Sequence, residues 1–321
     1  MFNLKNIQHV ADDIQTIKIQ WATPIAKAAL EVLIQELKNQ KFKSFPELKS
    51  FVLQWTKLLM QARATEPMLC NGMKCAISQL KSGKAEALKP ARPAGGDVKK
   101  VQLALIKSLK IFLLDIQGEE KIRPEIWAKI IKKNYNIMTH CHSGSVVQTL
   151  VTAWNQGKNI HVYNTETRPL FQGRRTSQDL IKAGVPDTMI TDDSAPFFVD
   201  NLYESHVHID MVIMGCDCIK MDGSIYNKIG SFSIAMAAWH SKIPVYIVGS
   251  LTKVDETNTI KIERRSGKEL RSDAPKSLEI INYAFDMVPA KFITGIITEY
   301  WIIKPKDIKK YVRTYYPWMM K

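Results

Sequence analysis

Cysteine is scarce in this sequence, and its spacing excludes the structural roles that cysteines often have. The five copies, at positions 70, 75, 141, 216 and 218, are odd in number and include no Cys-x-x-Cys pair. A disulfide framework needs an even set, and a structural zinc site needs closely spaced thiol pairs. We therefore expect reduced thiols and no zinc site.

Long apolar runs and targeting features are also missing. Residues 1–13 contain neither the basic segment nor the apolar core of a signal peptide, and no later stretch reaches the roughly 18 apolar residues of a membrane span. The composition, 45% hydrophobic and 24% charged, is that of an ordinary globular protein. The sequence therefore predicts a cytoplasmic protein with no membrane partner.

Acidic residues are fewer than basic ones, which gives a net charge of +14. Residues 1–118 alone contain 18 basic and 9 acidic residues. The excess is consistent with a polyanionic ligand or with lysines on solvated helix faces. A basic stripe interleaved with aromatic residues is missing, as is any recognisable nucleic-acid module, so we expect no nucleic-acid partner.

The first part of the chain has helical periodicity. Apolar residues recur at helical spacing from Thr23 to about Asp115, as in Phe51, Val52, Trp55 and Leu59. This pattern predicts a helical N-terminal domain over residues 1–118. Pro124 is expected to begin another helix near the domain boundary.

From about residue 134 the pattern changes to short β-type runs, over 135–138, 160–163, 188–190, 211–214 and 245–248. Segments of helical length separate most of them, and this alternation is typical of a doubly wound parallel sheet. The sequence thus predicts an α/β fold, in which a Rossmann-like domain over residues 119–321 follows the helical domain.

Polar and reactive residues follow each predicted strand. They occupy positions 139–145, 165–175, 191–194, 215–218, 227–230 and 249–253. Ligands bind doubly wound sheets outside the carboxyl ends of the strands, so we expect these segments to meet at one crevice. Arg168, Arg174, Arg175, Lys228 and Lys253 would give that crevice the positive charge that a phosphorylated substrate requires.

Cys141 and Asp217 are the candidate proton-transfer groups. Cys141 lies between His140 and His142 just before a helix start, where positive charge would lower the thiol pKa, although a free cysteine is equally often a buried apolar residue. Asp217 leaves a buried strand between Cys216 and Cys218, and loss of water there favours the protonated form that a general acid needs. We expect the two flanking cysteines to be structural.

Four segments carry a resemblance to a known family: "THCHSGS", "TETRPLFQGRRTS", "MGCDCIKMDGSIYNKIGS" and "FDMVPAKFITGIITE". They resemble the ribose-1,5-bisphosphate isomerase branch of the translation initiation factor 2B-related superfamily, over about residues 19–299. The resemblance implies conversion of ribose 1,5-bisphosphate to ribulose 1,5-bisphosphate in nucleoside salvage, by a homodimer or hexamer without metal or redox cofactor. It makes Cys141 and Asp217 the acid/base pair. It also implies substrate binding by Arg63, Thr65, Arg168, Arg174, Asn227, Lys228 and Lys253.

Two relatives compete with this interpretation, and one loop departs from the family pattern. Methylthioribose-1-phosphate isomerase shares the Cys and Asp, whereas regulatory subunits of initiation factor 2B are non-catalytic and generally lack the Cys. The family's N-terminal loop typically reads Ile-Arg-Gly-Ala, but Gln20 and Trp21 replace the Arg and Gly here. A neutral amide replaces a phosphate-binding guanidinium, so we expect this loop to bind a phosphate less tightly.

Overall fold

The computed structural model describes residues 5–16, 18–19, 22–63, 66–82, 97–201, 207–257 and 262–320. The chain divides into two compact units, one of Met1–Gly118 with Val312–Lys321 and one of Glu119–Tyr311. We call them the helical unit and the sheet unit. The division differs from the predicted one for residues 312–321, where the Trp318 ring packs 5.6 Å from the Phe112 ring.

The helical unit is built from α1 (Lys5–Gln15), α2 (Ala22–Asn39), α3 (Phe45–Ala62), α4 (Pro67–Ser82) and the first part of α5 (Val98–Ala128). Ser44 caps α3 by accepting a hydrogen bond from the Glu47 N–H at 3.4 Å. Leu33 and Leu59 are fully buried in its core, which confirms the helical periodicity. The expected helix start at Pro124 is wrong, because α5 continues through this residue to Ala128.

The sheet unit contains a seven-stranded sheet whose strands are connected mainly by helices. In chain order its strands and helices are β1 (Asn136–Thr139), α6 (Gly144–Asn155), β2 (His161–Thr165), α7 (Gln172–Lys182), β3 (Asp187–Ile190), α8 (Ala195–Asp200) and β4 (Met211–Gly215). Further along the chain come α9 (Ser231–His240), β7 (Val245–Val248), β12 (Gly295–Ile297) and β13 (Ile302–Ile303). The last α-helix, α10 (Ile308–Tyr315), begins in the sheet unit and ends in the helical unit.

The strand order in this sheet is β13-β12-β7-β4-β1-β2-β3. All neighbouring pairs are parallel except β12 with β13. The predicted doubly wound parallel sheet is therefore confirmed, with one short antiparallel strand added at its edge. Because β1, β2, β4 and β7 run in the same direction, the residues that follow them emerge at one edge of the sheet.

A second, four-stranded sheet was not predicted. It is formed by β5 (Cys218–Lys220), β6 (Ile225–Lys228), β8 (Val254–Asp255) and β11 (Phe285–Val288), in the order β11-β6-β5-β8. Two further short strands, β9 (Arg264–Arg265) and β10 (Asn282–Tyr283), pair with each other. The small sheet matters for function because Asp217 lies where β4 ends and β5 begins, and Lys228 is the last residue of β6.

Membrane insertion is not indicated by the helices. Within the described ranges, none of them is both long enough and apolar enough to cross a bilayer.

Candidate active site

Cys141 lies in the connection between β1 and α6, in an unusual backbone conformation. Its φ of 67° is in the left-handed region, which non-glycine residues rarely occupy. The Cys141 N–H donates to Thr167 Oγ1 at 3.0 Å, and its carbonyl accepts from Thr176 Oγ1 at 2.9 Å. Ser143 then caps α6 by accepting from the Val146 N–H. The cysteine backbone is therefore tied to the segments that follow β2.

The prediction of a lowered thiol pKa is wrong. Burial raises the pKa of Cys141 from 9.0 to about 11, against the positive charge of Lys228, which lowers it. The nearby carboxylate of Asp217 raises it further, as does that of Asp192. Desolvation also lowers the pKa of His140, so the flanking imidazole is neutral and supplies no compensating charge. In the free protein Cys141 is a protonated thiol.

Asp217 is within electrostatic reach of Cys141, as its effect on the thiol pKa shows. Its backbone N–H donates to the Tyr226 carbonyl at 2.9 Å, which fixes the turn from β4 into β5. The flanking Cys216 and Cys218 are only 4% and 1% exposed and form no disulfide, as expected of structural cysteines. The fold therefore brings together the two candidate proton-transfer groups from strands that are distant in sequence.

Lys228 places a positive charge beside this pair. The residue is 6% exposed, and its Nζ has no hydrogen-bond or ion-pair partner among the residues that the structure describes. Nζ lies 5.2 Å from the centroid of the Phe285 ring. Within the described residues nothing occupies the hydrogen bonds of this ammonium group, which are therefore available to an anionic ligand. Asn227 is also buried, and its Nδ2 donates to Ser231 Oγ at 2.8 Å.

Arg168 and Arg174 flank an aromatic ring that the sequence analysis did not single out. Their Cζ atoms lie 5.0 and 3.8 Å from the centroid of the Phe171 ring. Arg174 also pairs with Glu166 at 3.2 Å, and both arginines are exposed. Stacking on an aromatic face restricts a guanidinium without using its hydrogen bonds to a phosphate. A resemblance to phosphate-binding motifs identifies the arginines but does not identify the ring between them.

Close backbone approach explains one glycine in this segment. A Cβ added to Gly173, at the start of α7, would lie 1.7 Å from the Thr165 carbonyl oxygen. Any side chain would push α7 away from the end of β2, and with it the segment that carries both arginines.

Lys253 and Arg63 have different surroundings. The Lys253 ammonium donates to the Cys216 carbonyl at 2.6 Å. Cys216 immediately precedes Asp217, so Lys253 binds the backbone of the turn that carries this aspartate. Arg63 is the C-cap residue of α3 and belongs to the helical unit. Thr65, Gln20 and Trp21 lie outside the described residues.

Asp286 is a further site residue that the sequence analysis missed. Its Oδ2 accepts from the backbone N–H groups of Gly230 and Phe232, at 2.7 and 3.1 Å, and so caps the start of α9. Burial raises its pKa to about 6, although these two hydrogen bonds lower it. Its Oδ1 is buried and has no hydrogen-bond partner. In the sequence Asp286 is visible only as the second residue of "FDMVPAKF". Its contact with α9 depends on the pairing of β11 with β6, which the sequence does not reveal.

In the described part of the chain, no three His, Cys, Asp or Glu side chains come together as a metal site would require.

A helical region precedes a mostly parallel sheet in this chain, and a thiol, a carboxyl and an ammonium group follow or end the strands β1, β4 and β6. These features define an α/β protein with a candidate acid–base site. The sequence matches the model of the initiation factor 2 subunit family over residues 18–305. The chain belongs to this family.

Individual relatives include enzymes and assembled factors. The ribose 1,5-bisphosphate isomerase of Thermococcus kodakarensis is 30% identical, over 99% of this chain and 97% of its own length. The methylthioribose-1-phosphate isomerase of Pelotomaculum thermopropionicum is also 30% identical, over 92% and 82%. Among solved structures, the tetrameric eIF2B-beta2-delta2 complex of C. thermophilum contains a chain with a TM-score of 0.76 at 16% identity, covering 91% and 90% of the two chains. The last likeness concerns the fold alone.

Proposed function

We propose that this protein converts ribose 1,5-bisphosphate to ribulose 1,5-bisphosphate, with Cys141 and Asp217 as the acid/base pair. The observation that carries the proposal is the Lys228 ammonium beside this pair, which has no hydrogen-bond or ion-pair partner among the described residues. An anion would pair with it, and a sugar phosphate would place its reacting carbons next to the thiol and the carboxyl. The isomerase of T. kodakarensis, matched over nearly its full length, supports the same substrate class.

The chemistry requires an acid and a base on the same sugar. A ribose phosphorylated at C1 cannot open spontaneously to an aldehyde, so Asp217 would protonate the ring oxygen as the C1–O bond breaks. Cys141 would remove the C2 proton, and the electrons of that C–H bond would form a C1–C2 double bond. Cys141 then returns its proton to C1 while the C2 hydroxyl gives its proton to the ionised Asp217, which leaves the C2 ketone and regenerates both groups. Both phosphates are retained, and no electron acceptor is consumed.

The raised thiol pKa fits this scheme because the two groups are coupled. The Asp217 carboxylate raises the pKa of Cys141 and Lys228 lowers it. Protonating Asp217, as a general acid requires, removes the repulsion from that carboxylate, while Asp192 still opposes and Lys228 still favours the thiolate. Proton loss from Cys141 is therefore easier when Asp217 is protonated than when it is ionised.

The assay is isomerisation by the purified protein without added metal or nicotinamide, followed by NMR at the ketone carbon. Ribose 1,5-bisphosphate and 5-methylthioribose 1-phosphate are tested in parallel. Ketose formation from the bisphosphate supports the proposal. Turnover of the methylthio sugar alone would assign the protein to the second enzymatic branch, which the P. thermopropionicum relative represents. Failure with both sugars would indicate a non-catalytic role.

We also propose that the protein forms a homodimer, alone or within a hexamer. The α9 helix exposes Phe232, Met236 and Trp239, which are 36, 45 and 55% exposed. The rings of Phe232 and Trp239 both contact Phe292, so this apolar surface is continuous. Surfaces of this kind mark interaction sites, and the C. thermophilum relative is itself part of an assembly. Light scattering should show a dimer that Trp239→Glu dissociates; a monomeric wild type would contradict the proposal.

A further inference from the structure

The left-handed backbone conformation of Cys141 must be stabilised by contacts with surrounding residues. Thr167, which accepts the Cys141 N–H, is itself in the left-handed region, with a φ of 62°. Cys141 and Thr167 are joined by a hydrogen bond, and both have backbone conformations that non-glycine residues rarely adopt. Such conformations are kept only where surrounding contacts stabilise them. The contacts lead from Cys141 through two hydroxyl groups to a buried histidine.

This histidine, His140, is hydrogen-bonded at both ring nitrogens. Its Nε2 lies 2.8 Å from the Ile229 carbonyl oxygen, which can only accept, so Nε2 carries a proton. Burial lowers the His140 pKa, and the ring is therefore neutral with a bare Nδ1. The Thr165 hydroxyl, 2.6 Å from Nδ1, must then donate to it. Asp192 and Lys228 face the ring with opposite charges.

The remaining contacts extend from Thr165 to the cysteine. Because Thr165 gives its proton to His140, its oxygen can accept from the Thr167 hydroxyl, 3.1 Å away, and the Thr165 carbonyl oxygen is a second acceptor for that hydroxyl at 3.3 Å. Thr167 in turn accepts the Cys141 N–H at 3.0 Å. His140, Thr165 and Thr167 are all at most 2% exposed, so water does not compete for these hydrogen bonds. This relay links the cysteine backbone to the imidazole.

The same ring also contacts the segment after β6. A Cβ added to Gly230 would lie 3.1 Å from His140 Cε1, so the chain at Gly230 lies directly against the imidazole. Gly230 has a φ of 107°, which a side chain would rarely adopt, and its N–H is held by Asp286. Ile229 and Gly230 follow Lys228 without a break. One buried ring thus joins the segments that carry Cys141 and Lys228.

We propose that His140 is a positioning residue: it fixes the backbone of Cys141 through Thr165 and Thr167, and it fixes the segment of Lys228 through Ile229. The proposal rests on the proposed function in so far as Cys141 is the reacting group. His140 has no proton to exchange with a substrate, because both of its ring nitrogens are used inside the protein.

The test removes one hydroxyl from the relay and then restores it. Thr165→Val keeps the shape of the side chain and breaks the relay, whereas Thr165→Ser keeps the hydroxyl and serves as the matched control. The first readout is the rate of alkylation of Cys141 by iodoacetamide between pH 7 and 11, followed by mass spectrometry. Cys70, in the helical unit, is the internal reference in every sample. The second readout is kcat and KM for the bisphosphate.

A freed Cys141 should become more accessible to water, and its pKa should move back toward the ordinary value. We expect Thr165→Val to alkylate about tenfold faster at Cys141 near pH 8.5, since a drop of one pKa unit raises the thiolate fraction by that factor. Misplacing the thiol should lower kcat by about 10- to 100-fold, with KM close to that of wild type. Thr165→Ser should restore both values, and Cys70 should not change.

Several results would overturn this role. A folded Thr165→Val variant with wild-type alkylation and wild-type kcat would show that the relay does not position the thiol. Equal behaviour of the Ser and Val variants would exclude the hydroxyl as the cause. Loss of cooperative unfolding in both Thr165→Val and His140→Gln would make the network purely structural. Wild-type protein without turnover would refute the proposed function alone, because the alkylation profile still tests the relay.

Discussion

Replacing Lys228 with methionine should make this protein more stable and less able to bind phosphate. The two effects have opposite signs because Lys228 is only 6% exposed and its ammonium has no hydrogen-bond or ion-pair partner in the described part of the chain. Methionine has a similar length and no charge, so it can fill the same space beside Phe285. Removing a charge that is largely withdrawn from water should raise the free energy of unfolding by about 1–2 kcal/mol.

The Lys228→Met substitution should also weaken the binding of phosphate. A hydrogen bond between a charged donor and a phosphate contributes about 1.5–3 kcal/mol, which corresponds to a loss of affinity of roughly 10- to 150-fold. Thermal unfolding in a phosphate-free buffer gives the stability, and titration with inorganic phosphate and then with the bisphosphate gives the affinity through the shift in Tm. The charge of Lys228 also lowers the Cys141 pKa, so its loss should slow alkylation of that thiol near pH 9.

Lys158→Met is the matched control for this experiment. Lys158 donates to the carbonyls of Ala128 and Ile131, the second at 2.7 Å, and therefore has the partners that Lys228 lacks. Its replacement should lower stability and leave the phosphate-induced shift in Tm unchanged. The reasoning would be refuted if Lys228→Met lowered stability as Lys158→Met does and left phosphate binding intact. Lys228 would then be a structural lysine.

Two further variants test other parts of the account. Asp286 has a folded-state pKa of about 6, above its ordinary 3.8, so its ionisation destabilises the fold as pH rises from about 4 to 6. Asp286→Asn should remove up to about 3 kcal/mol of this pH-dependent loss of stability. Urea unfolding of wild type and variant across pH 4–8 measures the difference. The prediction is wrong if the free energies of unfolding of the two proteins change in parallel with pH. Restoring the family loop with Gln20→Arg and Trp21→Gly should lower KM for the bisphosphate, and an unchanged KM would exclude this loop from phosphate binding.

The main sheet could be predicted from the sequence because its signals are local. The central parallel strands are short, largely buried runs, such as Met211–Gly215, and segments of helical length separate most of these runs. The small sheet has no comparable signal. Its strands are two to four residues long, and β6 pairs with β11, whose Asp286 lies opposite Asn227 from far along the chain. Pairing of this kind depends on the tertiary fold rather than on periodicity.

The candidate site shows the same contrast between features that are visible in the sequence and features that depend on the tertiary fold. Motifs identified Cys141, Asp217 and Lys228, because their residue types and spacing are visible in the sequence. The protonation state of Cys141 could not be predicted, since the loss of water around the thiol outweighs every nearby charge and depends on tertiary packing. Phe171 and Asp286 were missed for a related reason, because each acts through contacts that the surrounding sequence does not reveal.

The measurement that tests the central claim most directly is the turnover of ribose 1,5-bisphosphate by Cys141→Ser and Asp217→Asn, compared with wild type at equal folded concentration. Each change removes one proton-transfer group and nearly preserves its shape. Loss of general acid–base catalysis is worth roughly 10²–10⁴-fold, so kcat should fall by that factor in each variant. The substrate-induced shift in Tm should persist, because the Lys228 charge remains. A wild-type kcat in either variant would contradict the acid/base assignment of that residue.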